Sequence, residues 1–337
     1  MKALTYRNYG GPDVIEVSDL PVPAPRRGEV LIRVKAATVS SGDWRARSLD
    51  LPPGFGWIGR AMFGVLRPRQ PVLGTEGAGV VHAVGAGVTT FRAGDEVAFF
   101  TGASMGAHAE FVVLPEDGRV IPKPASLTME EAASMFFGGT AAYDFLAVKG
   151  GLKSGERVLV IGASGAVGSA AVQVARAMGA HVTGVASGAN EAMVRALGAD
   201  EFIDYRTEDV TRSGRTWDVI LNASGNVRFA THGHLLAEGG RILLVLGTAR
   251  QLLGLDRAPR GDSRKVISGV AGEALVAMRQ LGAWAEQGLY WPAIDSVWPL
   301  EQAAEAHARV DSGRKRGSVV ITFVPAEAAR LPLAATG

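Results

Sequence analysis

The chain has 337 residues, of which 47% are hydrophobic and 20% charged, and 35 basic against 33 acidic residues leave a net charge of only +2. This length fits two domains that each bury a core, and the charge balance argues against a nucleic-acid partner. Cysteine is absent, which excludes disulfides, thiolate nucleophiles and cysteine-ligated zinc. The longest basic run, Arg314–Arg316, is expected to be a solvated loop. No apolar stretch reaches the ~20 residues of a membrane span, and the N-terminus shows no signal-peptide pattern, so we expect no membrane partner and a cytoplasmic location.

Residues 1–125 are predicted to be mostly β structure. Strands are predicted at Val30–Ala36, Gly79–Val84 and Glu96–Phe100, with Gly, Pro and Asp turns between them. The segment Leu51–Pro71 is different, because it is apolar, aromatic and rich in glycine. It is either a mobile cap over a pocket or a short helix packed on the domain surface.

From Ser126 the pattern changes to alternating helices and strands. Leu127–Phe137 has helical spacing, and Thr128 with Glu131 forms a capping-box sequence at its start. The alternation is typical of a parallel sheet with helices on both faces. The predicted strands are 157–161, 181–185, 202–203, 218–221, 241–246, one near 294 and 318–323; the predicted helices are 166–178, 190–197, 273–287 and 301–310; a loose tail follows from 325.

A glycine-rich loop joins the first of these strands to its helix. Strand, loop and helix in this order are the context that a dinucleotide-binding fingerprint needs. Gly165 lets the backbone approach a pyrophosphate, Gly168 allows close packing of helix on strand, and the helix N-terminus offers free N–H groups. Ala163 stands where the strict pattern has its first glycine. The residues predicted to hold the phosphates are Ser164, Gly165, Ala166, Val167 and Gly168.

The end of the second strand favours NADPH as the cofactor. An NAD site usually places an acid there, about 20 residues after the loop, to bind the ribose 2′-OH. Here Ser187 takes that place and Asn190 follows. A carboxylate would repel a 2′-phosphate, so its absence favours NADPH. Arg195 and Arg206 are each either the cation for that phosphate or solvated surface residues.

Short motifs in a characteristic order run from Met1 to Val324. They are Met1-Lys2-Ala3, Gly10–Pro12, Ala36-Ala37, Asp43-Trp44, Leu73–Gly79, Val84–Val88, Gly94–Val97, Gly106–Phe111, Phe137–Ala141, Gly155–Val160, Gly198–Asp200, Ile203–Tyr205, Gly239–Arg241, Pro299-Leu300 and Ala304–His307. Each is weak alone, but their order is highly specific. With the loop, they make the chain resemble the zinc-independent quinone oxidoreductase branch of the medium-chain dehydrogenase/reductases.

The resemblance implies an α/β fold with two domains. A GroES-like β-rich catalytic domain is expected at residues 1–125, completed by residues 289–330, and a Rossmann domain with a doubly wound parallel sheet at residues 126–288. The active site would lie in the cleft between them. A homodimer formed through edge strands of the Rossmann sheet is also implied.

One departure from the zinc alcohol dehydrogenases of this superfamily bears on the chemistry. Gly74-Thr75-Glu76 replaces their Gly-His-Glu zinc motif, and no cysteine is available as a further ligand, so no metal is predicted. His232 and His234 are the most closely spaced pair of histidines, but no acidic ligand is near them, so a loop or helix start is expected there. The expected reaction is hydride transfer from NADPH to a quinone or to the β-carbon of an α,β-unsaturated carbonyl, with hydrogen-bond donors meeting the oxyanion. An enoyl-thioester reductase of a biosynthetic pathway and a non-catalytic NADPH-binding regulator stay open.

Ser40, Asp43 and Thr140 are the candidate catalytic residues that the resemblance implies. Ser40 stands where relatives often carry Asn; Asp43 is alternatively a helix N-cap or turn residue, and Thr140 alternatively an ordinary helix hydroxyl. Ser318 replaces a lysine that relatives often have near the cofactor. No proton donor stands out, so solvent or a cofactor ribose hydroxyl is expected to serve.

The remaining candidates lie at the ligand edge of the predicted sheet or beside the acceptor. Tyr205 matches the family position at the 2′-phosphate. Parallel strands that end at the cofactor supply Asn222 to Ser224 and then Val245, Leu246 and Gly247. Ser104 and Met105 either line the acceptor pocket or belong to a flexible loop.

Overall fold

The computed structural model describes residues 1–51, 56–272 and 274–323, without the side chains of residues 57 and 58. Its strands, in chain order, are β1 Lys2–Thr5, β2 Glu16–Asp19, β3 Glu29–Val39, β4 Glu76–Val84, β5 Glu96–Phe100, β6 Phe111–Pro115, β7 Val120–Pro122, β8 Arg157–Ile161, β9 His181–Ala186, β10 Glu201–Asp204, β11 Trp217–Asn222, β12 Leu236–Leu244, β13 Lys265–Ser268, β14 Ile294–Pro299 and β15 Ser318–Thr322. Its α-helices are α1 Ser41–Ser48, α2 Gly56–Phe63, α3 Met129–Ala133, α4 Phe136–Tyr143, α5 Ala166–Ala177, α6 Glu191–Ala196, α7 Phe229–His232, α8 Ala249–Leu252, α9 Leu275–Glu286 and α10 Ala303–Asp311.

One sheet joins the two ends of the chain. Its strand order is β14-β15-β3-β4-β5-β7, and β6 pairs with β3 beside this path. β15 runs antiparallel to β3, with Val319 opposite Val39. Because β15 comes from the far end of the sequence, residues 294–322 complete the sheet that residues 29–122 begin.

The second sheet is parallel throughout and has the order β10-β9-β8-β11-β12-β13. Ile161 at the end of β8 is paired with Val185 of β9 on one side and with Asn222 of β11 on the other. The chain therefore reverses its direction of travel across the sheet between β8 and β11. Ligands of such sheets bind in the crevice beyond the strand ends at this point. The chain thus has the α/β architecture expected from the sequence, with a GroES-like β-rich domain and a Rossmann-like parallel sheet.

The single helix predicted over Leu127–Phe137 is wrong in its extent. Its start is confirmed, because Thr128 and Glu131 form the capping box. The helix ends at Ala133, however, and α4 begins at Phe136. The break has a tertiary cause: the buried carboxylate of Glu76 accepts hydrogen bonds from the N–H groups of Phe136 and Phe137, at 2.6 and 2.9 Å, and so begins a new helix there.

The strand predicted over Arg241–Leu246 is also displaced. It runs from Leu236 to Leu244, through Gly239, whose φ of +71° breaks the apolar alternation. The pairing with β11 shifts its register near this point. Because Gly239 lies inside the strand, the first half of β12 lacks the sequence pattern that predicts a strand.

Two other predictions meet the structure only in part. Within Leu51–Pro71 the structure has the short helix α2, and residues 52–55 lie outside the described residues. The tail from residue 325 also lies outside them. Among the described residues, no helix has the length and apolar character needed to cross a bilayer.

Candidate active site

The glycine-rich loop presents backbone N–H groups at the start of α5. Gly165 is the N-cap in an extended conformation, and its carbonyl accepts the first helical bond, from the N–H of Ser169 at 2.8 Å. The N–H groups of Ala166, Val167 and Gly168 therefore have no acceptor within the helix. Such N–H groups, with the positive end of the helix dipole, bind phosphate.

Two positions of this loop are occupied by glycine for different structural reasons. A Cβ on Gly168 would lie 1.9 Å from the carbonyl oxygen of Gly162, so only glycine permits the contact between α5 and the loop. A Cβ on Gly165 would meet nothing closer than 3.7 Å. The space at Gly165 is thus open to a ligand, which is what a pyrophosphate cradle requires.

The loop is also bonded to the other sheet. The N–H of Gly317, just before β15, donates to the carbonyl of Ser164 at 2.9 Å, and Gly317 forms an isolated parallel bridge with Gly165. Lys315 donates from its ammonium to the carbonyl of the same Gly317 at 2.7 Å. Burial lowers the pKa of Lys315 to about 8. The solvated loop predicted for Arg314–Arg316 is therefore wrong for Lys315, whose cation lies beside the nucleotide loop.

The residues predicted at the ribose end lie beyond β9 and β10. Ser187 follows β9, and its hydroxyl accepts from the Nδ2 of Asn190 at 3.0 Å. The Oδ1 of Asn190 is buried and has no partner. Tyr205 follows β10 with 60% of its surface exposed, so its ring is accessible to a ligand.

The charges near this end differ from the expectation in one respect. β9 ends without an acid, but Asp204 at the end of β10 brings a carboxylate to the same place, because its Oδ2 lies 2.5 Å from the position of a Cβ on Gly188. Arg195 is paired with Glu191 at 2.8 Å and also donates to the Asp200 carbonyl, so it serves its own helix.

The ends of β11 and β12 form one wall of a cleft. Asn222 is fully buried; its Oδ1 accepts from Ser224, and its Nδ2 has no partner. Val245, Leu246 and Gly247 directly follow β12. The cleft has a volume of about 250 Å³ and is lined by Trp44, Arg45, Asp50, Leu51, Ser224, Gly225, Leu246, Gly247 and Thr248. The strand ends of one sheet thus face the helix α1 that follows β3 of the other.

The structure brings Ser40 and Asp43 together at the start of α1. Ser40 is the N-cap, and its hydroxyl donates to Asp43 Oδ2 at 2.6 Å. The same oxygen accepts from the Ser40 N–H at 2.7 Å, and Asp43 Oδ1 accepts from the N–H of Gly74 at 2.7 Å. Both side chains are buried. This capping box ties α1 to the 74–76 segment, and it engages both residues before any substrate arrives.

Thr140 is engaged as well. Its hydroxyl is buried in α4 and donates to the Phe136 carbonyl one turn earlier, at 2.6 Å. The helix-hydroxyl alternative therefore describes a bond that the structure contains. A role beside the cofactor stays a prediction.

Glu76 was missed as a functional residue in the sequence. Thr38 donates to its Oε1 at 2.7 Å, while its Oε2 accepts the two N–H groups that begin α4. Burial raises the pKa of Glu76 to about 7 against the opposing effect of these hydrogen bonds. Only the spacing of Glu76 after Gly74 marked it, and its link to α4 joins residues far apart in sequence.

The remaining predicted positions have separate surroundings. Met105 packs into a buried cluster with Tyr6, Ala46 and Leu73, and the carbonyl of Ser104 accepts a bond from Gln70. Within residues 1–51, 56–272 and 274–323, no group of three or more His, Cys, Asp or Glu side chains is arranged to hold a metal ion. Zinc independence stays a prediction.

Comparisons with known proteins agree with this geometry. The family model described as the alcohol dehydrogenase GroES-like domain matches residues 26–125, and the one described as zinc-binding dehydrogenase matches residues 197–321. Quinone oxidoreductase from Lama guanicoe is 33% identical over 341 residues, which cover 95% of this chain and 97% of the relative.

Two solved structures are similar over nearly the whole chain. The quinone oxidoreductase from Coxiella burnetii has a TM-score of 0.82 and 26% identity, covering 96% of this chain and 99% of that one. A structure described as an NAD-dependent alcohol dehydrogenase has a TM-score of 0.83 and 30% identity, covering 96% of this chain and 100% of that one. The chain therefore belongs to the quinone oxidoreductase-like branch of the medium-chain dehydrogenase/reductase superfamily.

Proposed function

We propose that this oxidoreductase transfers hydride from NADPH to a quinone or to the β-carbon of an α,β-unsaturated carbonyl. The observation that carries the proposal is the open phosphate cradle of Gly165 and the first turn of α5, which Ser164 bonds to Gly317, just before a strand of the other sheet. The family implies a pyridine nucleotide as the cofactor. The choice of NADPH and of the acceptor is the proposal.

The residues present fit such a cofactor. The free N–H groups of Ala166, Val167 and Gly168 would hold the pyrophosphate, and the unpartnered Nδ2 of Asn222 is a donor at the sheet edge that a ligand would satisfy. Lys315 donates to the carbonyl of Gly317, whose N–H is bonded to Ser164 of the loop, and its cation would offset phosphate charge there. The bound cofactor would supply the hydride.

NADPH rather than NADH is supported by Ser187 and by the exposed ring of Tyr205. Asp204 acts in the opposite sense, because a carboxylate near the ribose favours a 2′-hydroxyl over a 2′-phosphate. One oxygen of Asp204 is already engaged by the N–H of Arg206 at 3.0 Å. We give more weight to Ser187, which stands at the end of the strand that leads to the ribose.

We name the group of Ser40, Asp43 and Thr140 the cleft floor, because the proposed function places the acceptor beside it. The cleft floor would position the acceptor and exclude water without giving up a proton. The hydroxyl proton of Ser40 is donated to Asp43, and that of Thr140 is donated to a helix carbonyl. Neither is free to protonate a developing enolate or hydroquinone oxygen. We therefore propose that the proton comes from solvent or from a cofactor ribose hydroxyl.

The test is turnover with NADPH and a panel of ortho- and para-quinones, enones and a crotonyl thioester, followed at the nicotinamide absorbance. The negative control is Gly165→Val. This substitution puts a side chain into the open cradle and is expected to abolish turnover while the protein stays folded. A thioester reduced faster than every quinone and enone would favour the enoyl-thioester reductase. Tight NADPH binding with no turnover on any acceptor would favour the non-catalytic regulator.

A homodimer, a cytoplasmic location and the absence of nucleic-acid and membrane partners also stay predictions. Sedimentation of the purified protein tests the homodimer directly. Equal dissociation constants for NADH and NADPH would contradict the cofactor choice while leaving the rest of the proposal in place.

A further inference from the structure

Arg45 brings a cation into the cleft opposite the strand ends. It is the fifth residue of α1, and it lines the 250 Å³ cleft together with its neighbour Trp44. Across the cleft lie Ser224, Leu246 and Gly247, at the edge where the proposed function places the nicotinamide and the acceptor. The half-buried side chain of Arg45 therefore borders this cleft.

Among the described residues, the guanidinium of Arg45 contacts the Trp44 ring but has no hydrogen-bonding partner. Its Nε is buried without a hydrogen bond. Within the part of the chain that the structure describes, it makes no ion pair within 4.0 Å, and its guanidinium carbon lies 5.8 Å from the centre of the Trp44 ring. Arg47, two residues later, provides a contrast, because its Nη2 contacts both carboxylate oxygens of Asp311 at 2.6 Å.

A buried donor without an acceptor is costly, because it loses water and gains nothing in return, and this cost applies to the Nε of the half-buried Arg45. Burial accordingly lowers the pKa of Arg45. The fork of N–H groups on an arginine matches a carboxylate or a phosphate in two parallel hydrogen bonds. The unpartnered donor in the cleft therefore points to an anionic group on the ligand.

The local charge favours a single negative charge. Asp50 lines the same cleft and raises the pKa of Arg45 by its attraction, yet it does not form an ion pair with it. A monoanion would be balanced by Arg45, whereas the second charge of a phosphate would face Asp50. The small volume of the cleft also favours a compact anionic group.

We propose that Arg45 binds a carboxylate of the acceptor, so that the preferred substrates are small enones or quinones that carry a carboxylate beside the reducible group. This inference rests on the proposed function and narrows its substrate class. Arg45 would act as a specificity-determining residue and not as a proton donor.

The experiment compares 4-oxo-2-pentenoate with its methyl ester in wild type, Arg45→Gln, Arg45→Lys and the control Arg92→Gln, whose side chain is 89% exposed. The measured quantity is the ratio of kcat/KM for the acid to that for the ester. Loss of a charge-assisted hydrogen-bonded pair predicts a fall of about tenfold or more in this ratio for Arg45→Gln. Arg45→Lys should fall less, and Arg92→Gln should match the wild type.

A binding arm needs no turnover. Levulinate and methyl levulinate, the saturated analogues, are titrated into each protein with NADPH present and followed by calorimetry. The acid should lose its advantage in Arg45→Gln, lose less of it in Arg45→Lys and keep it in Arg92→Gln. Unchanged ratios in both arms would overturn the inference and leave the proposed function standing. A weaker NADPH affinity of Arg45→Gln with an unchanged acid-to-ester ratio would also overturn it, because Arg45 would then serve the cofactor. Failure of every acceptor in the panel, with intact levulinate discrimination, would instead count against the proposed function alone.

Discussion

The nucleotide loop and the cleft floor are built in opposite ways. The loop offers backbone N–H groups of Ala166, Val167 and Gly168 that nothing in α5 satisfies. On the floor, the polar groups of Ser40 and Asp43 are already bonded to each other and to Gly74. One region is prepared for a ligand, and the other is prepared to keep its shape.

This difference indicates how the work is divided. On the proposed function, affinity for the cofactor would come from the main chain and would depend on the absence of side chains at the glycines of the loop. The cleft floor would fix the position of the acceptor, since the hydroxyl groups of Ser40 and Thr140 already donate to Asp43 and to the Phe136 carbonyl. Hydride transfer to a polarised acceptor needs position and hydrogen-bond donors more than it needs a strong acid.

The largest effect is expected from Gly168→Ala. Its Cβ would meet the Gly162 carbonyl at 1.9 Å and the backbone of Ala163 at 2.9 Å, so the loop must move away from the helix. We expect a loss of about 3 kcal/mol in the free energy of unfolding and no measurable NADPH binding. Gly165→Ala is the matched control: urea unfolding should change by about 1 kcal/mol or less, while NADPH affinity still falls. Equal stability of the two variants would contradict the division between packing and cradle.

Asp43→Asn tests whether the floor is structural. The carboxylate accepts three hydrogen bonds, from the N–H and hydroxyl of Ser40 and from the N–H of Gly74. An amide nitrogen in its place would face a donor, so we expect a loss of about 2–3 kcal/mol in urea unfolding. The exposed Asp19→Asn serves as the control. Wild-type stability together with a hundredfold fall in kcat would instead make Asp43 catalytic.

Glu76→Gln should change the pH dependence of stability. The folded pKa of Glu76 is about 7, above its ordinary value of 4.5, so between these two pH values the folded protein holds a proton that the unfolded chain has released. Its contribution to stability therefore falls as pH rises through this window, by up to about 3 kcal/mol. Denaturant unfolding of wild type and Glu76→Gln at pH 5 and pH 8 measures this. A difference between the two proteins that does not vary with pH would refute the expectation.

Cofactor preference should shift in opposite directions in Ser187→Asp and Asp204→Asn. The first adds a carboxylate at the ribose end and should lower the NADPH-to-NADH affinity ratio about tenfold or more. The second removes the carboxylate beside Gly188 and should raise the ratio. Fluorescence titration with both nucleotides gives the ratios, with the exposed Glu238→Gln as control. A shift in the same direction for both variants would show that charge at this end does not select the cofactor.

Thr140→Val should have the smallest effect. It deletes one hydrogen bond to the Phe136 carbonyl at nearly constant volume, so about 1 kcal/mol of stability should be lost. We expect kcat/KM to fall less than tenfold. A much larger fall at unchanged stability would place the hydroxyl in the reaction.

The fold and the loop could be predicted because their signals are contiguous in sequence. Strand β8, the glycine-rich loop and α5 follow one another, and the function of the loop depends on its backbone. The helix break between Ala133 and Phe136 could not be predicted in this way. Its cause is Glu76, 60 residues earlier, which supplies the acceptor for the new helix.

The candidate site was harder to predict, because the roles of its side chains depend on contacts with residues far away in the sequence. Whether the carboxylate of Asp43 is free or bonded depends on Gly74, 31 residues away. Lys315 lies in a basic run that resembles solvent-exposed sequence, yet its cation lies beside the loop because Gly317 bonds to Ser164. No sequence motif marks Arg45, because the cleft that it lines is completed by residues 224–225 and 246–248, far away in the sequence.

The bond between Gly317 and Ser164 links the two sides of the cleft mechanically. Gly317 leads into β15, and β15 pairs with β3, whose last residue is followed by Ser40 and the helix that carries Arg45. A loop that tightens around phosphate therefore pulls on two adjacent strands of the other sheet. Binding of the cofactor should therefore slow amide hydrogen exchange at the start of β15 and at the end of β3. These strands belong to the other sheet and lead to the proposed acceptor site.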